Sequence, residues 1–266
     1  MIKFLIHPRT RDMGIERAGK DNIKCNVIVI KVTQLSTVQR VAKNTGIIIS
    51  GDLIFRLVSL VVTIYLARYL GTADFGKYNF VFAYLAFFNI ITDLGLQAIL
   101  VREMAREPMR APKLIGNAYI LRWILTALAV ASSIIVITLM SYPADTTTYI
   151  YIASLTVLFI SFSDFYRTIF AANLRMEYNI VAKLAFKGVS ATFILLIIFM
   201  KGTLLHIMIA LVFSEMVKTS LNYLFSRKFV KPRFEIDFGL WKYLLKEALP
   251  LALSSVIWVI YYRIDV

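Results

Sequence analysis

The sequence predicts an all-α polytopic membrane protein. Of its 266 residues, 59% are hydrophobic and only 17% are charged, and the mean hydropathy is +0.72. Soluble globular domains average about 45–50% apolar and about 25% charged residues, so this chain has too few polar residues to coat a soluble fold. From Thr45 onward the apolar residues form successive blocks, and the basic residues collect in alternate breaks between them. Helices that cross a bilayer several times produce this pattern.

The first element is a basic tail. Residues 1–43 contain nine Lys or Arg and three Asp or Glu. Their longest apolar run, Val27 to Ile30, is too short for the hydrophobic region of a signal peptide. We therefore expect a cytoplasmic tail without a membrane span. The alternative is an over-extended gene start, with Met13 as one candidate for the true first residue.

Seven apolar blocks follow the tail. Each approaches the roughly 20 residues that an α-helix needs to cross about 30 Å of hydrocarbon. Gly, Pro and Asp residues lie in the breaks, and the chain lacks the ten-residue alternation typical of transmembrane β-strands. The predicted helices cover residues 46–68, 78–101, 116–141, 148–170, 179–200, 203–225 and 243–266.

These elements predict four parts of the chain. Residues 1–43 form the basic cytoplasmic tail, and residues 44–228 form a six-helix transmembrane lobe. Residues 229–242 form a cytoplasmic linker, and residues 243–266 form a truncated seventh transmembrane helix.

The basic residues of the loops predict the orientation. Loops on one side of the predicted membrane hold fifteen Lys or Arg, and loops on the other side hold three. Since Lys and Arg accumulate in cytoplasmic loops, the N-terminus is predicted to be cytoplasmic in a multi-pass protein of the cell membrane (plasma or inner). This distribution accounts for the net charge of +14, so no nucleic-acid partner is expected.

Charged residues also lie inside the apolar blocks. A central charge costs about 2.5–3.5 kcal/mol on insertion scales, so a dozen of them cannot all face lipid. Many are spaced three or four residues apart, on one helical face. They are Asp52, Arg56, Asp93, Arg122, Asp164, Arg167, Lys183, Lys187, Glu215, Lys218, Arg263 and Asp265. Seven are cations and five are acids, so a shared polar cavity would carry a net charge of +2.

Such a cavity favours an anionic substrate. Arginine suits phosphate in particular, because its planar fork pairs two oxygens at once. Four acids are the polar or coupling candidates: Asp52, Asp93, Asp164 and Glu215. The alternative is that the charges only form pairs within helices and hydrogen bonds between them.

Catalytic chemistry is not predicted. Two histidines and one cysteine cannot make a structural zinc site. No two acids are adjacent, as they would be in the Asp-Asp-x-x-Asp motif that holds Mg²⁺ on a pyrophosphate. We expect no cofactor, no metal site and no enzyme activity.

Motifs along the chain carry a family resemblance. They are Leu66-Ala67-Arg68-Tyr69-Leu70-Gly71 with Phe75-Gly76, Asp93-Leu94-Gly95-Leu96, Val101-Arg102-Glu103, and the terminal Arg263-Ile264-Asp265. From about Ser36 onward, the chain resembles polysaccharide-biosynthesis (Wzx-type) flippases of the multidrug/oligosaccharidyl-lipid/polysaccharide exporter superfamily. The resemblance implies two six-helix lobes that rock in alternating access, a MATE-like fold. Here it covers the N-terminal lobe and the start of a seventh helix, so we expect a truncated product or a partial sequence.

The resemblance implies what is transported. The expected activity is the flipping of polyprenyl-pyrophosphate-linked oligosaccharides from the cytoplasmic to the outer leaflet, for surface polysaccharide export. The expected partners are the lipid-linked oligosaccharide, membrane lipids, and polysaccharide polymerase or glycosyltransferase proteins. By helix and face, five cations match the family's cationic cavity: Arg56, Arg122, Arg167, Lys187 and Lys218.

Three alternatives stay open. A multidrug exporter of the same superfamily would need an acid-rich cavity, and a peptidoglycan-precursor flippase would share both fold and charge. A membrane-embedded glycosyl or prenyl transferase fits less well, because clustered acids are missing from the sequence.

Overall fold

The structure is a computed structural model that describes the backbone of residues 15–230 and 232–263. Side chains are described from residue 45 onward, apart from residues 47, 231, 255, 256, 258–260 and 262–266. Residues 1–45 and 46–266 form separate groups of contacts, and the hydrophobic core lies in the second group. In the first group, residues 15–45 are helical.

Helices and short turns make up the described backbone, which confirms the predicted all-α class. The helices are α1 (Ile15–Asp93), α2 (Leu96–Arg106), α3 (Ala111–Leu139), α4 (Ala144–Ala172), α5 (Glu177–Phe199), α6 (Leu204–Ser226) and α7 (Phe238–Arg263), with a 3₁₀ turn at Pro108–Arg110. Within the described residues, five helical stretches are long and apolar enough to cross a membrane. The chain is therefore a multi-pass membrane protein.

The first of these stretches contains two predicted helices joined at Gly71. Gly71 has φ 69° and ψ −178°, which interrupts α1. Val62 and Phe82 pack against the same buried cluster around Leu66 and Ile207. Twenty residues of straight helix would separate them by about 30 Å. The chain therefore folds back at Gly71, as the predicted loop after residue 68 requires.

The second predicted helix is broken. The prediction of one continuous helix over residues 78–101 is wrong, because Leu94 (φ 44°) and Gly95 (φ 77°) are left-handed and separate α1 from α2. A Cβ atom on Gly95 would lie 2.8 Å from the Cβ of Leu251 and 2.9 Å from the carbonyl oxygen of Ala248. Only glycine permits this close approach of α7 at a left-handed position.

Short turns connect α3 to α4, α4 to α5 and α5 to α6 at the predicted breaks, whereas the longer linker of residues 227–237 connects α6 to α7. Pro143 precedes α4, and Thr203 caps α6 in a reciprocal hydrogen-bonded box with His206. The connection before α5 ends α4 through the left-handed residue Leu174, and Lys201 has the same conformation after α5. These ends lie within a few residues of the predicted ones, except that α3 begins five residues earlier and α7 begins five residues earlier.

The α4 helix is the centre of the lobe. It packs extensively against α6 and α3 and also contacts α2. One buried cluster joins Ile115 of α3, Phe165 and Phe170 of α4, and Leu244 of α7. The other two clusters lie nearer the predicted outer end and involve Val81, Ile150 and Ile207.

Candidate functional site

Four charge pairs occupy the interior of the helical lobe. Each joins one predicted acid to one predicted cation, and all four acids are used. The pairs are Arg122 with Asp93, Arg167 with Asp164 (3.4 Å), Lys183 with Asp52 (2.9 Å) and Lys218 with Glu215 (2.5 Å).

Arg122 makes the most complete set of contacts. Its side chain is only 4% exposed and donates to a carboxylate oxygen of Asp93. Its Nε donates to the Ser161 hydroxyl at 2.8 Å, and its Nη2 donates to the Ser161 carbonyl at 3.0 Å. Thr126 lies 2.7 Å from the same hydroxyl. Because every face of the guanidinium is engaged, the geometry favours a structural role that ties α1, α3 and α4 together. The predicted role of Arg122 in the substrate cavity stays a prediction.

Arg167 connects α4 to α2. Its Nη2 donates to the amide oxygen of Gln97 at 2.7 Å, while its Nε faces Asp164 one turn away. Gln97 follows the break at Gly95, so the break aims this amide at α4 rather than continuing the face that carries Asp93. Asp93 and Gln97, which are four residues apart, therefore contact two different arginines, Arg122 and Arg167.

The Asp52–Lys183 bridge joins α1 to α5. Gly51 allows the approach, because a Cβ atom there would lie within 2.5 Å of the Ile180 side chain. Arg56 lies one turn from Asp52 on the same helix, but the structure pairs Asp52 with a lysine 131 residues away. Gly51 approaches Ile180, and the next residue, Asp52, contacts Lys183. Residue numbers therefore increase in the same direction on both helices, so α1 and α5 are parallel here.

A cluster of two aromatic rings and two lysines lies one turn further along these helices. Phe55 and Phe186 stack with ring centroids 6.5 Å apart. The ammonium group of Lys187 lies 5.4 Å from the centre of the Phe55 ring, and that of Lys218 lies 5.0 Å from the centre of the Phe186 ring. Both distances are within the range of a cation–π contact. We call these four residues the lysine–aromatic cluster.

Two predicted cations have no carboxylate partner among the residues that the structure describes. Lys187 contacts the Phe55 ring, and Arg56 is exposed. Each lies four residues beyond a member of the Asp52–Lys183 bridge, so the two positions occupy similar heights on parallel helices. These two side chains therefore account for the net charge of +2 that was estimated from the sequence.

A cavity of about 210 Å³ opens beside Lys187. Lys187 and Glu215 both line it, together with the hydroxyl groups of Ser190 and Thr156. Both arms of the α1 hairpin contribute to its walls, including Leu66 and Phe82, and apolar residues of α4, α5 and α6 complete them. Within the described part of the chain, no three His, Cys, Asp or Glu side chains lie close enough to hold a metal ion.

A comparison with protein-family models decides the family. Residues 41–266 match the model described as "Polysaccharide biosynthesis protein". The chain belongs to the polysaccharide biosynthesis protein family. No curated protein sequence matches it.

Solved structures establish that this family member has a MATE-like fold. An outward-facing multidrug resistance MATE family transporter of the MOP superfamily is similar at a TM-score of 0.68 and 16% identity, over 81% of this chain and 52% of that chain. A MOP superfamily transporter from Pyrococcus furiosus is similar at 0.64 and 19% identity, over 81% and 51%. A MATE structure in the bent conformation gives 0.61 and 18%, over 79% and 50%. The chain thus spans about half the length of these structures, and the six helices predicted for one lobe have the expected fold.

Sequence reasoning missed several partners of the site. Ser161 and Thr126 are ordinary hydroxyl residues of apolar helices, and no spacing rule links them to Arg122. The ring pair Phe55 and Phe186 was likewise indistinguishable from core aromatics. Arg263 and Asp265, which the sequence placed among the interior charges, lie outside the described side chains.

Proposed function

We propose that this member of the polysaccharide biosynthesis family translocates polyprenyl-pyrophosphate-linked oligosaccharides from the cytoplasmic to the outer leaflet by alternating access. The proposal rests on one observation above the others. After these four acids are paired, two of the predicted cations, Arg56 and Lys187, have no carboxylate partner among the described residues. A pyrophosphate is the anionic group of such a lipid-linked glycan, and it needs cations that are not already neutralised.

The surroundings of Arg56 support this role. Its neighbours Leu53, Leu57 and Leu60 are 56–59% exposed on the same side of α1. A lipid-facing arginine at this depth would cost about 2.5–3.5 kcal/mol, so this face of α1 must meet a wet cavity or further protein. Either placement lets the guanidinium face a substrate between two parts of a transporter.

Lys187 supplies the second cation from α5. It lies on the wall of the 210 Å³ cavity with Ser190 and Thr156. Their hydroxyl groups donate to the backbone carbonyl oxygens of Lys187 and Ala153, so their oxygens can still accept a hydrogen bond from a sugar hydroxyl. The Phe55 ring lies 5.4 Å from its ammonium group and positions the side chain without neutralising its charge. In the predicted orientation, both cations lie in the middle or cytoplasmic half of the membrane, where a substrate made in the cytoplasm would enter.

Two other transport functions compete with this one. The similar MOP superfamily transporter from Pyrococcus furiosus has a binding pocket of reverse polarity, which suggests a different function for that transporter, so pocket charge varies within this fold. Export of cationic drugs is disfavoured here because the two cations without carboxylate partners would repel them. A peptidoglycan-precursor flippase would share the same charges, and only a substrate assay separates it.

The test substitutes Arg56 and Lys187 one at a time in the whole protein. Arg56→Ala and Lys187→Ala should each lower surface polysaccharide export at least about tenfold, the effect of one charge-assisted contact, with near-parental membrane abundance. Arg56→Lys and Lys187→Arg should recover part of the activity because they keep the charge. Lys201→Ala, which removes an exposed lysine from a loop at the opposite end of the lobe, is the control and should change neither quantity.

Proteoliposomes distinguish the candidate substrates. A fluorescent polyprenyl-pyrophosphate glycan should cross the bilayer with the parent protein and not with the Arg56→Ala/Lys187→Ala double variant. An abundant and fully active double variant would refute the cationic site. Transport of a cationic dye that is unaffected by the substitutions, with no glycan transport, would favour the multidrug alternative.

A further inference from the structure

A second cavity lies apart from the charge pairs, at the end of the lobe predicted to be cytoplasmic. Its volume is about 410 Å³, within the roughly 300–1,000 Å³ of small-molecule sites. It lies between α3, α4 and α6 and is bounded on one side by the linker that follows α6. Its lining residues are Ile115, Tyr119, Phe165, Tyr166, Ile169, Tyr223, Ser226, Arg227, Val230, Pro232 and Phe234.

Aromatic contacts build its walls in advance of any ligand. The ring of Tyr119 lies 5.6 Å from Phe165 and 5.9 Å from Phe234, and Tyr166 lies 5.7 Å from Tyr223. Rings at these distances and tilts stabilise one another. The cavity therefore needs little rearrangement to accept an apolar or partly apolar group.

The linker closes the cavity because α3 holds it by the backbone. The amide of Arg233 donates to the carbonyl oxygen of Pro112 at 3.0 Å, and Asn117 accepts from the amide of Asp237 at 2.9 Å and from the indole of Trp241 at 3.1 Å. A Cβ atom on Gly116 would lie 1.9 Å from the Arg233 carbonyl oxygen. Val230, Pro232 and Phe234 are thereby kept over the cavity.

The charge of the cavity is positive. Among the lining residues that the structure describes, Arg227 is the only charged one and none is acidic. Its guanidinium lies 5.7 Å from the centre of the Tyr223 ring and has no carboxylate partner in the described part of the chain. Three phenols, of Tyr119, Tyr166 and Tyr223, lie on the same walls. Arginine and phenol donors over apolar walls match a phosphate that carries an apolar body.

The depth of the cavity matches the membrane interface. Tyr119 lies eight residues from the start of α3, and Phe165 lies seven residues from the end of α4. At 1.5 Å per residue, the cavity reaches about 10–12 Å in from the helix ends. That interval spans the headgroups and the first part of the hydrocarbon, and basic pockets between helices at this level bind anionic lipid headgroups.

We infer that this cavity is a binding site for the phosphate headgroup of an anionic phospholipid, with Arg227 pairing the phosphate and the aromatic walls taking the glycerol and upper acyl chain. The site is separate from the interior charge pairs. Its occupancy does not depend on what the lobe transports, so its test can fail while the proposed function stands.

The test measures lipid retention by the full chain. Protein in nanodiscs of equal phosphatidylglycerol and phosphatidylcholine is released and weighed intact by native mass spectrometry, so that the bound lipids are counted. We expect one phosphatidylglycerol retained with at least about tenfold preference over phosphatidylcholine, and at least about tenfold loss of that preference in Arg227→Ala. Lys228→Ala is the matched control: it removes the neighbouring charge, which lies over the rings of Tyr178 and Phe225 and does not line the cavity. It should retain the lipid.

A second variant tests the cavity itself. Val230→Phe fills space in the cavity and leaves Arg227 in place, and it should also lose the retained lipid. Equal losses in Arg227→Ala and Lys228→Ala would overturn the inference in favour of a general surface charge effect. So would full retention in Val230→Phe, or displacement of the lipid by soluble glycerol phosphate at similar concentration, which would assign the site to a free phosphate.

Discussion

Removal of Arg122 and removal of Lys187 should affect different properties of the protein. Both cations were predicted to line one substrate cavity, yet the structure gives them different surroundings. Arg122 is hydrogen-bonded on every side to Asp93 and Ser161, whereas Lys187 contacts an aromatic ring and a cavity. Arg122→Ala should therefore impair folding, and Lys187→Ala should impair transport.

The magnitude follows from what each substitution leaves behind. Breaking a buried ion pair costs about 3–5 kcal/mol, because the surviving charge is left without a partner. The Asp93 side chain is 32% exposed, so water recovers part of that cost. We expect Arg122→Ala to lower the free energy of unfolding by about 3 kcal/mol, near the lower end of that range. Lys187→Ala removes only a cation–π contact worth about 0.5–1 kcal/mol at a partly exposed site.

The assay is unfolding of the purified protein in mixed micelles with increasing dodecyl sulfate, followed by circular dichroism. The same variants are scored in cells for membrane abundance and export. A third variant, Asp93→Leu/Arg122→Leu, replaces the pair by apolar side chains. It should return the free energy of unfolding to within about 1 kcal/mol of the parent, since such replacements are often neutral.

Two results would refute this reasoning. The first is an Arg122→Ala protein as stable as the parent, which would mean that the contacts with Asp93 and Ser161 do not stabilise the lobe. The second is a Lys187→Ala protein that loses stability as much as Arg122→Ala. Lys187 would then be a structural residue, and the proposed pyrophosphate site would lose one of its two cations.

Three further predictions concern topology, the broken helix and the linker. A cysteine placed in residues 143–148 of a variant without the native cysteine should react with an impermeant thiol reagent from outside, whereas one in residues 228–234 should not; reversed labelling would invert the orientation. Gly95→Ala should lower the free energy of unfolding by about 1–3 kcal/mol through strain at a left-handed position, with further loss from the clash with α7, and unchanged stability would contradict the close approach. The hydrogen bond from Lys113 lowers the pKa of Asp237 below its ordinary 3.8. The stabilisation that ionised Asp237 gives the linker is therefore complete above pH 3.8 and is lost as the pH falls through the lowered pKa. Cross-linking between the linker and α3 should therefore weaken below about pH 4 and become independent of pH in Asp237→Asn.

Helix number and extent could be predicted because membrane physics leaves few choices. A bilayer requires backbone hydrogen bonds to be satisfied within each span, so apolar blocks of about 20 residues predict helices reliably. The break at Gly95 was harder to predict, because the block over residues 78–101 stays apolar across it. What breaks the helix is the backbone of α7 at Ala248, more than 150 residues later in the chain, and only a tertiary contact conveys that information.

The pairing of charges likewise depends on tertiary contacts that the sequence pattern does not convey. Spacing along one helix favours Asp52 with Arg56, since they lie one turn apart, but the structure pairs Asp52 with Lys183. The exchange has a physical reason. Gly51 lets α5 approach closely at Ile180, and this approach brings the ammonium group of Lys183 to 2.9 Å from the Asp52 carboxylate. The charged residues inside the predicted helices already give an excess of two positive charges. The crossing of α1 and α5 decides which two cations remain unpaired. The bridge to Asp52 neutralises Lys183, so Arg56 and Lys187 are left without a carboxylate partner among the described residues. A substitution that separates α1 from α5 at this point, such as Gly51→Val, should therefore let Asp52 pair with Arg56. Export should then fall as much as it does in Arg56→Ala.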